Sequence, residues 1–240
     1  MQVRHATWLT FGLLVATIAL FEMSDLDLAL QLHLFDRQTG KWLIDAEEPG
    51  LRLIFYTGSK WLLITTGAAL IFAWLTSFSS KRLAPYRKTL LFLILCLAAV
   101  PVAVSASKNT TNIFCPSDLT IFGGNKPYIK LFEPRDATIE DKGCCFPAGH
   151  ASGGFSLLAL YFLFRRSKDK LLGLGAGLTA GWLMGGYQMA KGAHFLSHTL
   201  VTMELAWLLI LIIYGVLYRG WHTELAEADC RQYQSPPTSP

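Results

Sequence analysis

The sequence predicts an all-α protein that crosses a membrane several times. Of its 240 residues, 52% are hydrophobic and only 16% are charged, whereas soluble domains carry about 25% charged residues. The charged residues are also clustered, so that long uncharged stretches lie between them. A hydrocarbon core about 30 Å thick requires about 20 apolar residues per helix. Because helices pair their own backbone groups in lipid, a bundle of transmembrane helices is the predicted architecture.

Six stretches have the length and apolarity of a membrane span. In chain order they are Thr7–Phe21, Trp61–Phe78, Thr89–Ala106, Gly149–Phe164, Leu171–Ala190 and Thr199–Tyr218. The first follows Arg4 as a signal peptide would, but IALFEMSD lacks a small-residue cleavage site, so we expect a retained anchor. The predicted organisation is one membrane-embedded domain over residues 1–226, followed by a disordered tail over 227–240.

Basic residues predict how the helices are oriented. They occur before the first span, between the second and third, between the fourth and fifth, and after the sixth: Arg4, Lys81, Arg82, Arg87, Lys88, Arg165, Arg166, Lys168, Lys170 and Arg219. These positions lie on one side if six spans alternate, and short basic loops stay in the cytoplasm. Both termini are then cytoplasmic. The net charge of +4 follows from this topology, and no nucleic-acid partner is expected.

Two long loops face the other side of the membrane. The loop Glu22–Lys60 carries LDLALQLHLF, an apolar pattern that could lie along the membrane surface. The loop Ser107–Ala148 is long enough to carry part of an active site, and it holds Cys115, Cys144 and Cys145. An outer location permits a disulfide, but spacing does not choose the pair. The expectation is Cys115 with either Cys144 or Cys145.

Three of the six histidines lie at the outer ends of predicted spans. His150 begins the fourth span, and His194 and His198 precede or begin the sixth. Ionisable residues at such depth are costly and tend to be functional. One histidine there would more often anchor a helix at the interface, but three at the same depth indicate a site.

The stretch CCFPAGHASGGF, residues 144–155, has the features of an anion site at a helix start. Pro147 suits the first helical turn, which would leave the amides of Ala148, Gly149 and His150 free to bind an anion together with the helix dipole. Ser152 adds a hydroxyl one turn later. The glycines have a second interpretation, which is close packing between helices.

Two lysines are placed to join this anion site. Lys108 lies where the third span meets the outer loop, and Lys191 precedes His194. Their positive charges and the preset amides suit a phosphate group, since such donors usually supply the largest part of catalysis. Alternatively, both lysines extend to the membrane interface without binding anything.

The order of these residues resembles the membrane-embedded type 2 phosphatidic acid phosphatase family, which is related to bacterial acid phosphatases and vanadium haloperoxidases. Its usual signature is K-x6-R-P, then P-S-G-H, then S-R-x5-H-x3-D. The first part matches KNTTNIFCP, with Lys108 in the lysine place and Cys115 where arginine is expected. The second matches PAGH, with Ala148 in place of serine. The form CFPAGHASGG is similar to a bacterial branch with divergent motifs.

The third part of the signature departs furthest from the family. His194 takes the histidine place, Gln188 that of arginine and His198 that of aspartate. The resemblance implies that His194 is the nucleophile that forms a phosphohistidine, and that His150 protonates the departing oxygen. These roles suit imidazole, which transfers protons near neutral pH and is a competent nucleophile when neutral.

The resemblance also implies which residues assist. Lys108, Lys191 and Gln188 would hold the phosphate oxygens, although lysine does not replace a bidentate arginine equivalently. With the aspartate missing, His198, one turn along the same helical face, or Asp118 from the long loop would orient His194. No cofactor is implied.

The implied function is hydrolysis of a phosphomonoester or pyrophosphate of a membrane lipid at the periplasmic face of a bacterial inner membrane. A phosphotransferase that passes the group to a second lipid would use the same residues. A catalytically impaired relative that only binds lipid would explain the two missing arginines and the missing aspartate. The lipid and the oligomeric state are not written in the sequence.

Metal binding is an alternative from a different class. His194 and His198 are spaced i and i+4, and His150, Cys144 or Cys145 would complete a tetrahedral set. No carboxylate lies beside them in the sequence, however, and two nearby lysines would repel a cation. We therefore expect no metal.

Overall fold

The computed structural model describes residues 3–134, 141–164 and 166–234, with the side chains of the last helix described as far as Tyr218. The protein is mostly helical. The predicted disordered tail, 227–240, lies outside the residues whose side chains are described.

The helices follow one another with few other elements. They are α1 (Val3–Glu22), α2 (Leu26–Gln31), α3 (Pro49–Arg52), α4 (Ser59–Thr76), α5 (Arg87–Thr111), α6 (Gly149–Ser156), α7 (Ser167–Ala190) and α8 (Leu196–Gln234). A π-helical segment, Leu53–Gly58, joins α3 to α4. Short 3₁₀ segments are Ala84–Tyr86, Pro116–Asp118, Thr120–Phe122 and Leu157–Phe162. The departures from an all-α description within these residues are an antiparallel hairpin of two-residue strands, β1 (Phe35–Asp36) with β2 (Lys41–Trp42), and an isolated parallel bridge between Leu119 and Lys126.

Four helical stretches among the described residues are long and apolar enough to cross a membrane. They are Val3–Glu22, Pro49–Thr76, Ala84–Asp118 and Leu196–Tyr218, and they correspond to the first, second, third and sixth predicted spans. The fourth and fifth predicted spans are also helical, as α6 with its 3₁₀ continuation and as α7. They are not among the four candidate spans, because α6 has only eight residues and α7 is rich in glycine and therefore less apolar.

Glycines bring α6 and α7 into backbone contact. A Cβ atom on Gly177 would lie 2.5 Å from the nitrogen of Leu158, and one on Gly181 would lie 2.1 Å from the ring of Phe155. A Cβ atom on Gly154, on the opposing helix, would lie 2.6 Å from the nitrogen of Gly181. Small residues at helix interfaces in membranes permit this close approach. The low apolarity of α7 therefore follows from its packing.

The two ends of the bundle differ in chemistry. At one end, the Lys88 ammonium lies 5.4 Å from the ring centroid of Tyr218, so the start of α5 and the described end of α8 are neighbours. Since α5 and α8 run in opposite directions, the end of α5 and the start of α8 meet at the other end. Lys108 and the histidine motifs are therefore gathered away from the basic loop between α4 and α5.

The loop Glu22–Lys60 packs against the bundle in part through polar side chains. Asp27 of α2 is buried, and its carboxylate accepts hydrogen bonds from the amide (2.9 Å) and the hydroxyl of Ser197 in the first turn of α8. Gln31 is buried as well and donates to the carbonyl of Met189 at 2.9 Å near the end of α7. Asp27 and Gln31 therefore face the protein together with Leu28 and Leu32, which pack against the cluster of Phe114, Leu119, Phe122 and Phe195, whereas Leu26 and Leu30 are exposed.

The hairpin packs against the turn that precedes α8. Gly192 has φ +77°, which favours glycine, and a Cβ atom there would lie 2.3 Å from the Trp42 ring. The amide of Ile44 donates to the carbonyl of Ala190 at 3.1 Å, and the amide of Ser117 donates to the carbonyl of Gly192 at 2.9 Å. The loops Glu22–Lys60 and Ser107–Ala148 thus both fix the position of residues 191–195.

We expect Gly181→Ala to destabilise the protein, because the added methyl group would overlap the fully buried ring of Phe155. Overpacking of this kind costs about 1–3 kcal/mol. Gly175→Ala and Gly186→Ala are matched controls on the same helix, since a Cβ atom at either position meets nothing within 4 Å. Thermal unfolding in detergent measures the difference. Equal midpoints for the three variants would contradict the packing described here.

Replacement of Asp27 tests the cap on α8. Asp27→Ala leaves the amide and hydroxyl of Ser197 without their acceptor, and loss of a cap costs about 0.5–2 kcal/mol. Burial raises the pKa of the Asp27 carboxyl, against the opposing effect of its hydrogen bonds from Ser197, so the neutral Asp27→Asn variant should retain most of the stability. Asp25→Ala, which removes an exposed ion pair with Lys130, is the control and should change little. Thermal unfolding is the measurement, and equal midpoints for Asp27→Ala and Asp25→Ala would contradict this role.

Candidate active site

Three histidines from two parts of the chain meet at one end of the bundle. The ring centroids of His150 and His194 are 6.3 Å apart, and those of His194 and His198 are 5.7 Å apart. His194 and His198 are buried, with 3% and 2% of their surfaces exposed. His150, at the start of α6, and His194, before α8, are therefore close enough to act on one small group.

Lys108 lies beside the start of α6. A Cβ atom on Gly149 would be 3.1 Å from both Cε and Nζ of Lys108, so a glycine is needed for the ammonium to approach the helix this closely. The last turn of α5 carries Lys108 to this position, and the helix ends at Asn112, which has φ +55°. The contact joins a positive charge to the positive end of a helix, an arrangement that favours an anion.

The start of α6 differs from the prediction in two details. The helix begins at Gly149 with Ala148 as its N-cap, so Pro147 precedes the helix and is not in its first turn. The amide of Ala148 is also not free, because it donates to the carbonyl of His198 at 3.1 Å. This hydrogen bond ties α6 to α8, and it leaves the amides of Gly149 and His150 as the candidates for anion binding.

Lys191 lies among aromatic rings. Its ammonium is 5.5 Å from the ring centroid of Tyr56 and 5.1 Å from that of Tyr187. The Tyr56 ring in turn lies 4.7 Å from the ring of His150. Burial, followed by the charge of Arg52, lowers the pKa of the Lys191 ammonium. Tyr56 thus connects Lys191 to His150, in a cation–π arrangement that holds the lysine near the site.

The contacts of His194 differ from those expected. Its Nδ1 lies 3.4 Å from Sγ of Cys145, whereas Nδ1 of His198 has no hydrogen-bond partner within the described chain. Asp118 is exposed, and its carboxylate accepts from the amide of Cys115 at 3.2 Å. The prediction that His198 or Asp118 orients His194 is therefore not what the structure shows, because Cys145 occupies that side of the ring.

Burial shifts the pKa of the His194 imidazole. Removal from water lowers its pKa well below the usual value, and the neighbouring His198 and Lys108 lower it further. Protonation of His194 would place another positive charge next to Lys108, which explains the direction. The neutral imidazole therefore persists to a lower pH than in an ordinary histidine.

Two predicted phosphate ligands have different surroundings. Gln188 is buried, with 1% of its surface exposed, and neither atom of its side-chain amide has a partner among the residues that the structure describes. A buried amide of this kind normally has a partner, so a ligand or water would satisfy it. Ser152 is also buried, but its hydroxyl donates to the carbonyl of Gly149 at 2.6 Å. That proton is therefore not available to a phosphate, which departs from the predicted role.

The cysteines of the second outer loop are divided into a pair and a free thiol. Cys115 is bonded to Cys145, while Cys144 is free and exposed. Sγ of Cys145 and the imidazoles of His194 and His198 lie within 4.8 Å of one another, which is the spacing of metal ligands. The ligand form of cysteine is the thiolate, and the sulfur of Cys145 is already bonded. This set of three therefore loses its third ligand in this state of the protein.

A cavity of about 720 Å³ extends from the site between α4 and α5. Its far part is apolar and its near part contains polar groups. The lining residues are Tyr56, Lys60, Leu63, Ile64, Gly67, Ala68, Ile71, Ile94, Leu97, Ala98, Pro101, Ser105, Lys108, Gly149, His150, Ser152, Gly153 and Met184. The space is large enough for a drug-sized or larger ligand, and its shape suits an apolar chain with an anionic end.

Several residues of the site were not found from the sequence. Tyr56, which packs on His150, belongs to a stretch that the sequence suggested only as loop. Asp27 and Gln31 lay within an apparently apolar pattern, and their spacing of four residues on one helix face was the signal available. A carboxylate within an apolar stretch of a membrane protein is itself an indication of function.

Comparisons with known proteins agree with this geometry. Residues 89–221, more than half of the chain, match the model of the PAP2 superfamily. The chain is 30% identical over 146 residues to the lipid A 4'-phosphatase of Francisella tularensis subsp. novicida (strain U112), an alignment that covers 59% of this chain and 64% of that protein. No solved structure matches the chain. The chain belongs to the PAP2 superfamily.

Proposed function

We propose that this protein is a phosphatase that removes a phosphate from a membrane lipid, as a phosphomonoester or a pyrophosphate, through a phosphohistidine at His194. The observation that carries the proposal is the convergence of Lys108, His150 and His194, the first two of which line the polar end of an apolar cavity. The family match and the lipid A 4'-phosphatase relative support the reaction type. They do not identify the lipid.

The first step would be attack of His194 on phosphorus. The contact of Nδ1 with Cys145 leaves Nε2 of His194 for the substrate, and the lowered pKa keeps this imidazole neutral. A neutral imidazole is the nucleophilic form. His150, with its ring centroid 6.3 Å from that of His194, would enter this step protonated and donate its proton to the lipid oxygen as the P–O bond breaks.

The second step would return the enzyme to its starting state. A water molecule replaces the departed lipid alcohol, and His150, now neutral, accepts a proton from it while the water oxygen attacks phosphorus. The P–N bond breaks, and inorganic phosphate leaves. Lys108 and the amides of Gly149 and His150 would stabilise the charge on the phosphate oxygens in both steps, together with Lys191 and the buried amide of Gln188.

The cavity indicates how a lipid would reach these groups. Its apolar walls are formed by α4 and α5, which are two of the four candidate spans. A lipid chain lying there would stay in the hydrocarbon layer while its phosphate lies against Lys108 and His150. Small residues, including Gly67, Ala68 and Ala98, line this space and keep the passage open.

We also propose the orientation in the membrane. Six spans, with α6 and α7 as the fourth and fifth, place the basic loops and both termini in the cytoplasm. The site is then on the periplasmic side of a bacterial inner membrane. The contact between Lys88 and the Tyr218 ring supports a common basic end, and a disulfide between Cys115 and Cys145 is compatible with an oxidising compartment.

Two alternatives remain distinct from hydrolysis. A lipid-to-lipid phosphotransferase would form the same phosphohistidine and pass the group to a second lipid in place of water. A catalytically impaired relative would bind lipid in the same cavity without turnover. Phosphate release from purified protein distinguishes them, because the transferase requires an acceptor lipid and the impaired relative releases nothing.

We expect the protein to release phosphate when it is assayed against a panel of phosphatidic acid, phosphatidylglycerol phosphate, polyprenyl pyrophosphate and lipid A. The release should require no acceptor lipid and should persist in the presence of a chelator. His194→Ala should lower kcat at least about 10³-fold, since it removes the nucleophile. His33→Ala is the matched control, because His33 is an exposed histidine of the outer loop.

Full activity of His194→Ala would refute the assignment of the nucleophile. Release that appears only with an acceptor lipid would support the transferase, and loss of activity with the chelator would support a metal-dependent reaction. An inactive wild-type protein that still binds one of these lipids would support the impaired relative.

A further inference from the structure

We infer that Cys145, held in place by its disulfide to Cys115, positions the imidazole of His194 and sets which ring nitrogen is protonated. This inference rests on the proposed function, in which His194 is the nucleophile. The family signature has an aspartate at the position that His198 occupies in this chain. We assign the orienting role of that carboxylate to the disulfide-bonded Cys145.

The contact itself determines the protonation state of the ring. Sγ of Cys145 is 3.4 Å from Nδ1 of His194, and a disulfide sulfur carries no proton. It can therefore only accept, so a hydrogen bond across this contact requires the proton to lie on Nδ1 of His194. The carbonyl of Cys145 also favours a proton on this ring. With Nδ1 protonated, the lone pair of Nε2 is free for phosphorus.

The other candidates for this role do not face Nδ1 of His194. The ring of His198 packs edge-on against Phe146 and Phe195, and its Nδ1 is without a partner in the described residues. Asp118 binds the amide of Cys115, and Asp27 binds Ser197. Both carboxylates therefore support neighbouring segments, whereas Cys145 touches the imidazole directly.

The disulfide explains why Cys145 has a fixed position. Cys145 is fully buried, and its amide donates to the carbonyl of Ile113 at 2.9 Å. Its sulfur lies 2.8 Å from the carbonyl oxygen of Ala193, the residue before His194. The bond to Cys115 thus joins the loop after α5, the segment before α6 and the turn before α8. The first two segments adjoin the helix ends that carry Lys108 and His150, and the third carries His194.

Reduction would turn the sulfur of Cys145 from an acceptor only into a group that can also donate a hydrogen bond. A dithiol transfers two electrons and two protons to the Cys115–Cys145 bond, yielding two thiols while the dithiol becomes a cyclic disulfide. Cys145 then carries an S–H group and is no longer tied to Cys115. Donation to Nδ1 of His194 would favour the tautomer with the proton on Nε2, where it blocks attack on phosphorus, whereas donation to the carbonyl of Ala193, 2.8 Å away, would leave the ring beside a sulfur that is no longer fixed by the disulfide. Wrong-tautomer histidines in serine proteases lose about 10⁴-fold in kcat.

The first test measures phosphate release by the full-length protein before and after treatment with dithiothreitol. We expect kcat to fall at least about tenfold on reduction, while KM stays within about twofold, because the lipid cavity does not include Cys145. Cys115→Ala should show the low kcat without reductant and no further loss with it. Cys144→Ala is the matched control, since this neighbouring thiol is free and exposed, and it should behave as the wild type in both conditions.

The second test does not require turnover. Orthovanadate mimics the pentacoordinate phosphorus and takes a nucleophile into its coordination sphere, whereas sulfate binds only through charge and hydrogen bonds. We expect Cys115→Ala to weaken orthovanadate binding at least about tenfold and to leave sulfate binding unchanged, with Cys144→Ala unchanged for both anions. The variants are used here without reductant, since dithiols reduce vanadate.

The outcomes separate this inference from the proposed function. An unchanged kcat after reduction would overturn the positioning role. Loss of both orthovanadate and sulfate binding by Cys115→Ala would also overturn it, because that result indicates that the disulfide only holds the fold together. If the oxidised wild type releases no phosphate but binds orthovanadate more tightly than Cys115→Ala does, the proposed reaction fails and the positioning role stands.

Discussion

The position of the turn between α7 and α8 is the constraint on which the site depends. This turn, residues 191–195, carries His194 and is held by two loops. The loop Glu22–Lys60 reaches it through Ile44 and the ring of Trp42, and the loop Ser107–Ala148 reaches it through Ser117 and Cys145. Because Gly192 and the carbonyls of the turn supply these contacts, the main chain itself is fixed. The nucleophile is therefore placed by packing that the helical bundle alone would not provide.

The electrostatics of the site follow from the same arrangement. Lys108 and Lys191 approach the start of α6, and the lining of the cavity contains no carboxylate within the described part of the chain. Burial of His194 beside these charges keeps its imidazole neutral. An excess of positive charge beside the buried neutral imidazole of His194 favours a bound anion and opposes a bound cation. The physical environment thus agrees with the family to which the chain belongs.

Much of the fold and of the candidate site could be predicted from the sequence, whereas contacts between distant segments could not. The apolar stretches predicted the helices, and the motifs around Lys108, His150 and His194 predicted the family, because both signals are local. The partner of Cys115, the cap supplied by Asp27 and the contact of Tyr56 with His150 depend on segments far apart in the chain. The weak apolarity of α7 was ambiguous for a related reason, since several of its glycines, including Gly177 and Gly181, pack against α6 and its 3₁₀ continuation.

The central claim is that His150 and His194, on separate helical segments, act on one bound oxyanion. An experimental structure of the protein with orthovanadate in the site tests this most directly. The account predicts vanadium bonded to Nε2 of His194, with its oxygens within hydrogen-bond distance of Lys108 and of the amides at the start of α6, and with His150 facing the oxygen opposite the V–N bond. Vanadate bound elsewhere, or bonded to a residue other than His194, would contradict it.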